Sequence, residues 1–123
     1  MIYGFGYDSS KDDYKVVLGF RNGGIRPKFT LKSNVWEVIG EVNYTFVSRV
    51  GFLYSGALHW VVCHGSAYQM PLILSFDLSE DKFEQIPQPC KWADHLGTIS
   101  GCLCVLDVPS NTLYGIPFTL QGG

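Results

Sequence analysis

The sequence lacks the features that would place it in several large classes of protein. Only 16% of its 123 residues are charged and the formal net charge is -2, so there is no basic excess for a nucleic acid or an anionic membrane. No apolar run approaches the roughly 20 residues of a membrane-spanning helix, and no signal peptide precedes the first apolar segment. We expect an intracellular protein, cytoplasmic or nuclear, that binds neither nucleic acid nor membrane.

Helical periodicity is also missing. No segment of ten or more residues places apolar side chains at helical spacing, whereas short apolar segments alternate with turns rich in Gly, Pro, Asp and Ser. The chain has 14 Gly and 6 Pro, and 46% of its residues are hydrophobic. The pattern predicts a single all-β domain with enough apolar material for a core.

A repeat of aromatic residues is the main feature present. Three times an aromatic residue is followed seven positions later by another, with a polar turn between them. The pairs are Tyr7 and Tyr14, Phe29 and Trp36, and Phe76 and Phe83. The segments 29–39 and 76–86 align at an offset of 47, and the segments after Gly56 and Gly101 align at an offset of 45. A period of this length predicts propeller blades.

The repeat divides the chain into about two and a half kelch-like antiparallel blades, at about 3–39, 46–86 and 97–123. Because closed propellers have four to eight blades, this partial β-propeller would leave sheet faces uncovered. Three interpretations follow: a fragment of a longer protein, a chain that packs against another copy or a partner, or an open sheet or sandwich. We favour the fragment.

Several short motifs resemble a known family in order and spacing. They are YGFGYD (3–8), DDYKVV (12–17), LKSNVW (31–36), GALHW (56–60), ILSFDL (73–78) with FEQIP (83–87), and GCLCV (101–105). Together they resemble the F-box-associated domain of plant F-box proteins, a group that includes the F-box/kelch-repeat and S-locus F-box families. The resemblance covers residues 3 to about 106, and residues 107–123 do not match the family's continuation.

This resemblance implies a protein–protein interaction domain that acts as the substrate-recognition part of an F-box subunit of a cullin-type ubiquitin ligase. Its partner would be the client protein to be ubiquitinated, and the module itself would not be an enzyme. No F-box precedes Tyr3, so the Skp adaptor and cullin complex are expected partners only of a longer form. The alternatives are a truncated stand-alone interaction domain without ubiquitination activity, and a β domain that binds a carbohydrate or another small ligand.

The residues that could act in catalysis or bind a metal are expected to have structural roles instead. Adjacent carboxylates occur at Asp12-Asp13 and Glu80-Asp81, but both pairs lie in polar turns where carboxylates are usually solvated. His59 lies in an apolar strand, and we expect it to pack there. Cys63, Cys102 and Cys104 match no zinc-ligand spacing and are expected to be reduced. We predict no catalytic residue, no metal and no cofactor.

The connections between strands alternate in length, which predicts where a partner binds. Tight turns at 8–13, 32–34, 54–56 and 77–82 alternate with longer connections at 21–28, 40–45, 63–71 and 87–97. In an antiparallel meander alternate connections gather at one edge, and function usually lies on such longer segments. The predicted partner-binding residues on the longer set are Arg21, Arg26, Tyr44, His64, Tyr68, Gln69, Lys91, Trp92 and His95.

Replacing Trp92 and Arg26 with Ala in a full-length protein is expected to weaken capture of its client, because Trp and Arg are the residues that most often anchor protein interfaces. The measurement is a pull-down of a known client, with circular dichroism to show that the variant is folded. Undiminished capture by a folded variant would remove these two residues from the binding face.

Overall fold

The computed structural model describes residues 1–21, 24–64, 71–88, 95–107 and 109–116, with side chains for all of these except 24–28 and 41. All regular secondary structure in these ranges is β-strand, which confirms the all-β prediction. No helix in the described ranges is long and apolar enough to cross a membrane. Of the residues predicted to bind a partner, Tyr68, Gln69, Lys91 and Trp92 lie outside the described ranges.

Within the described ranges, twelve strands form three antiparallel sheets in chain order. The first sheet contains β1 (Ile2–Asp8), β2 (Asp13–Gly19), β3 (Gly24–Thr30) and β4 (Val35–Val42). In the second, β5 (Tyr44–Phe46) and β6 (Phe52–Tyr54) both pair with β7 (Ala57–His64), followed by β8 (Leu72–Asp77) and β9 (Lys82–Pro87). The third contains β10 (His95–Ile99), β11 (Cys102–Asp107) and β12 (Thr112–Gly115).

The strand boundaries correct the sequence analysis at three places. The predicted loop 21–28 is wrong beyond residue 23, because β3 begins at Gly24 and accommodates Pro27 by a register shift between Ile25 and Pro27. The looser connection predicted at 40–45 is wrong as well, since β4 and β5 leave only Asn43 between them. The strand β12 was missed. The predicted blade boundaries at 3–39, 46–86 and 97–123 remain a prediction.

The repeated aromatic residues are partners across the hairpins. Each pair lies directly opposite in the strand register, with ring centroids 5.2, 4.8 and 4.8 Å apart. Such cross-strand aromatic pairs stabilise antiparallel sheets. Two positions before the second aromatic of each pair the backbone is left-handed, with φ of 49° at Asp12, 55° at Asn34 and 59° at Asp81. Asn and Asp tolerate this conformation best among non-glycine residues.

The first and second sheets stack on one another through a single apolar layer. Ile2 and Val17 of the first sheet pack against Leu58, Trp60 and Phe76 of the second, and all five are at most 1% exposed. Complete burial of one such side chain contributes about 1.5–3 kcal/mol. Gly51 is required in this layer, because a Cβ atom there would lie 2.7 Å from the indole ring of Trp60.

The other face of the second sheet is buried by the third. Ile73 and Ile86 pack against Leu103, Val105 and Ile116 of the third sheet. Six consecutive residues of β7 are therefore buried, instead of the alternation seen in β1. A strand that is buried on both faces has a continuous run of apolar residues. This run in β7 places the second sheet in the middle of the stack.

Corresponding strands of the three sheets run in the same direction. Tyr3 forms a parallel bridge with Val50, and the Tyr54 hydroxyl donates to the carbonyl of Gly101 at 2.8 Å. The tight hairpin turns at 9–12, 31–34, 55–56, 78–81 and 100–101 consequently share one end, here called the hairpin end. The strand ends at residues 21, 44, 64 and 95 lie at the opposite end, here called the loop end.

A buried lysine joins the first two sheets at the hairpin end. The Lys15 ammonium, 1% exposed, lies 3.1 Å from Asp8 Oδ2 and 3.1 Å from Asp81 Oδ1, and it donates to the carbonyl of Leu78. Asp8 also accepts hydrogen bonds from the backbone and the hydroxyl of Ser10, at 3.0 and 2.6 Å. Because Lys15 and Asp8 belong to the first sheet and Leu78 and Asp81 to the second, this cluster fixes their registration.

Replacing Lys15 with Met should lower the free energy of unfolding by about 3 kcal/mol or more, because Asp8 stays buried without its cation. Urea unfolding followed by tryptophan fluorescence measures the change. The matched control is Lys32→Met, which removes the exposed Lys32–Asp12 pair and should change stability little. Equal losses in the two variants would contradict a structural role for Lys15.

Acid should weaken the same cluster. Burial alone would raise the pKa of Asp8, but the hydrogen bonds from Ser10 and Lys15 and the Lys15 charge outweigh it and hold that pKa below its ordinary value. A carboxyl with a lowered folded pKa stabilises the fold above its unfolded pKa of about 3.9, and the contribution disappears as pH falls through the folded pKa. The stability difference between wild type and Asp8→Asn should shrink from pH 7 to pH 3. A constant difference would contradict the assignment.

Candidate functional site

The loop end contains every described side chain of the predicted binding set. Arg21, Tyr44, His64 and His95 lie at strand ends there, and all but Tyr44, which is half-buried, are exposed. Arg26 lies within β3 rather than in a loop, and its side chain lies outside the described part of the structure. The structure therefore describes only part of the predicted binding set, and the role of these residues in binding stays a prediction.

Tyr44 and His64 form a cross-strand pair at the loop end of the second sheet. They lie opposite each other in the register of β5 and β7, and their ring centroids are 5.1 Å apart. The side-chain amide of Gln85, on β9, donates to the Tyr44 hydroxyl. The tyrosine ring thus extends across the sheet from β5 to β9, and the hydrogen bond holds it in one orientation.

A cleft of about 400 Å³ opens beside this pair. Leu74 and Phe83 supply apolar surface, whereas Tyr44, His64 and Gln85 supply groups that can donate or accept hydrogen bonds. The remaining lining residues are Val42, Asn43 and Glu84. An apolar surface bordered by a few polar groups is the usual chemistry of a binding site for an apolar side chain or a small ligand.

Arg21 is tied to β5, the strand of Tyr44, by two hydrogen bonds to one residue. Its Nε donates to the carbonyl of Phe46 at 3.2 Å, and the Phe46 backbone N–H donates to the Arg21 carbonyl at 2.8 Å. Phe46 is buried in the first core layer and lies two residues after Tyr44. The guanidinium is thereby held at the junction of the first two sheets.

His95 belongs to a different cleft. It lines a cleft of about 470 Å³ together with Leu96 and the segment 47–52 between β5 and β6. Ser48 in that segment accepts the backbone N–H of Val61 at 2.9 Å, which ties the segment to β7. The sequence analysis grouped His95 with Tyr44 and His64, but the structure places them in two clefts of the loop end.

Three residues of the Tyr44 cleft were missed by the sequence analysis. Asn43, Glu84 and Gln85 line it, although only the connection containing Asn43 had been considered. Gln85 lies two positions after Phe83, on the same face of β9. That alternation was visible in the sequence, but the pairing that brings β9 to Tyr44 was not.

The residues considered for catalysis and metal binding occupy structural positions. His59 is 2% exposed, and burial lowers its pKa, with part of the effect offset by hydrogen bonds to the backbone of Phe52 and Ala57. Cys63 and Cys104 are buried, and Cys102 is exposed; all three are free thiols. Across the described ranges there is no group of three or more His, Cys, Asp and Glu side chains placed to hold a metal ion.

Stacked antiparallel sheets of three to five strands, in chain order, are typical of a β-propeller-type domain. The sequence profile of the F-box associated beta propeller domain matches residues 1–106, and the chain belongs to that family. It is 31% identical to the F-box/kelch-repeat protein At3g23880 of Arabidopsis thaliana, with 85% of this chain and 32% of that protein covered.

Two further relatives come from the same plant. The F-box protein CPR1 is 31% identical, with 86% of this chain and 33% of the relative covered. The F-box protein At3g07870 is 28% identical, with 86% and 33% covered. The chain thus spans about a third of the length of the curated relatives that it matches.

Proposed function

We propose that this chain is a protein-interaction domain that recognises the client of an F-box-containing, cullin-type ubiquitin ligase. Its membership in the F-box-associated family and its similarity to proteins named F-box proteins support the ligase context. The observation that carries the proposal is the cleft bordered by Tyr44 and His64, with Arg21 bonded to Phe46 on the same strand as Tyr44.

The two ends of the stack differ in the side chains that they present to a client protein. At the hairpin end polar side chains bond to one another, within a turn or between turns: Asp77 accepts the backbone N–H and hydroxyl of Ser79 at 2.9 and 2.7 Å, and Lys32 pairs with Asp12 at 2.8 Å. At the loop end Tyr44 and His64 border a cleft and Arg21 bonds to Phe46 of β5, and aromatic and arginine side chains contribute most to protein interfaces. The loop end is therefore the surface that we assign to the client.

In this role the domain binds and does not catalyse. Delivery of the client requires docking to a Skp-type adaptor through an F-box, which this chain would share only as part of a longer form. Without that docking the same surface would still bind the client but would not lead to ubiquitination. Co-precipitation with a Skp-type adaptor separates these two forms of the proposal.

Charge reversal at the loop end should abolish client capture. Tagged protein with Arg21→Glu is compared with wild type in plant extract under proteasome inhibition, and captured proteins are quantified by mass spectrometry. The matched control is Lys11→Glu, an exposed residue at the hairpin end with the same change of charge. We expect a client that wild type and the control retain and that Arg21→Glu loses by at least about tenfold, or about 1.4 kcal/mol.

Circular dichroism and urea unfolding must first show that Arg21→Glu is folded, because Arg21 also bonds to Phe46. If the same proteins are captured with either charge reversal, the loop end is not the client surface.

The volume of the Tyr44 cleft favours one second candidate. At about 400 Å³ it falls within the range of small-ligand sites, and a tyrosine with neighbouring amide and imidazole groups also suits a carbohydrate. Glycan-array binding by wild type that Gln85→Leu removes would support this candidate. Protein capture without glycan binding would exclude it.

A further inference from the structure

The cleft that contains His95 carries a positive charge. One wall of this cleft is the segment 47–52 of the second sheet, and the other is the start of β10, with His95 and Leu96. Arg49 supplies the charge, and none of the described residues that line the cleft is Asp or Glu. The whole chain has a formal net charge of -2, so the charge of this cleft is opposite in sign to that of the molecule.

The Arg49 side chain is exposed and has no protein partner within the described ranges. Arg21 bonds through its Nε to the carbonyl of Phe46, and Lys32 pairs with Asp12. No hydrogen bond or ion pair joins the Arg49 guanidinium to a described residue. A guanidinium carries five donors in a planar fork that matches the two oxygens of a carboxylate. These donors are therefore available to an anionic ligand.

The segment that carries Arg49 is held in place from both sides. On one side the Ser48 backbone N–H donates to the carbonyl of Val61 at 3.2 Å, and the Ser48 hydroxyl accepts the Val61 N–H at 2.9 Å. On the other side Tyr3 of β1 donates to the Arg49 carbonyl at 2.9 Å and accepts the N–H of Gly51 at 2.7 Å. Because the segment is already ordered, a ligand that binds to it does not have to order it, which favours affinity.

The backbone of Val50 offers further polar groups to a ligand. In the parallel bridge between Val50 and Tyr3, the hydrogen bonds are made by the Arg49 carbonyl and the Gly51 N–H. Successive residues of an extended chain direct their N–H and C=O groups to opposite sides, so those of Val50 point away from the first sheet. Neither group bonds to a described residue. An extended peptide can pair with such groups as a strand added to an edge does.

The rest of the lining is apolar. Val47 and Val50 are 36% and 50% exposed, and Phe52 and Leu96 are half-buried. The volume of about 470 Å³ is within the range of ligand sites. Apolar surface next to one guanidinium and two backbone groups fits a peptide that has a carboxylate beside an apolar side chain.

We propose that this cleft binds an extended segment of the client in which Asp or Glu is adjacent to an apolar residue. The carboxylate accepts hydrogen bonds from Arg49, the apolar side chain packs against Phe52 and Leu96, and the peptide backbone bonds to that of Val50. Since the segment belongs to the client, the inference rests on the proposed function. It adds a second contact, separate from the Tyr44 cleft.

A peptide array tests the chemistry of the occupant. The full chain is incubated with hexapeptides that are acetylated at the N-terminus and amidated at the C-terminus, so that their only carboxylates belong to Asp and Glu. We expect the retained peptides to contain Asp or Glu next to Leu, Ile, Val or Phe. Their Asn or Gln counterparts should bind at least about tenfold more weakly, because a hydrogen bond to a charged group is lost. Retention without a carboxylate, or no retention, overturns the proposal.

Substitution of Arg49 tests the residue that we assign to the carboxylate. Arg49→Gln should lower the affinity for a retained peptide, measured by fluorescence anisotropy, by at least about tenfold. Arg49→Lys should lower it less, because an ammonium keeps the charge but not the planar fork. The matched control is Lys11→Gln, an exposed position at the hairpin end with the same change of charge. Equal affinities for Arg49→Gln and this control overturn the proposal.

Urea unfolding should be unchanged in Arg49→Gln, because its side chain has no partner among the described residues. Amide chemical shifts then locate the peptide: those of Val50 and Leu96 should change on titration, and that of Gln85 should not. Changes confined to Gln85 and the Tyr44 cleft overturn the assignment. Hexanoate is the probe for a small organic acid, and displacement of the peptide by hexanoate at the same concentration as by unlabelled peptide would overturn the extended segment.

The two proposals fail separately. A client that Arg21→Glu loses, in a chain that binds no acidic peptide, would refute this inference alone. Acidic peptides that bind through Arg49, together with client capture that Arg21→Glu leaves intact, would refute only the role given to Arg21 and the Tyr44 cleft.

Discussion

The structure depends on the requirement that both faces of an apolar sheet be kept from water. The second sheet carries large apolar side chains on both faces, Trp60 and Phe76 towards the first sheet and Ile73 and Ile86 towards the third. A single antiparallel sheet can bury only one of its faces against one neighbour. The chain therefore stacks three sheets in sequence, and the remaining features of the domain follow from how those sheets are registered.

Registration divides the domain into two ends with different properties. At the hairpin end short turns, left-handed Asp and Asn residues and the buried Lys15–Asp8–Asp81 cluster hold the sheets in place. At the loop end Tyr44, His64 and His95 border two clefts, and Arg21 bonds to Phe46.

Local sequence patterns were sufficient to predict those structures that depend on contacts between residues close together in the chain. Tyr7 and Tyr14, or Phe76 and Phe83, pair across tight turns, so their spacing alone predicts hairpins that the structure confirms. The errors in predicting strands lie in segments whose structure depends on contacts with residues outside the segment. Pro27 argued against a strand, yet a register shift accommodates it. Thr112–Gly115 carries too little apolar character to be recognised, and it is a strand only because β11 supplies the pairing.

By itself the sequence determined the all-β class, the hairpins and the family, because each rests on residues within a few positions of one another or on a repeated motif. Only the tertiary structure decided that Gln85 reaches Tyr44 and that His95 lies in another cleft. It also decided that Lys15 is buried between two sheets. Those relations join residues far apart in the chain, through strand register and sheet stacking, which no local pattern encodes.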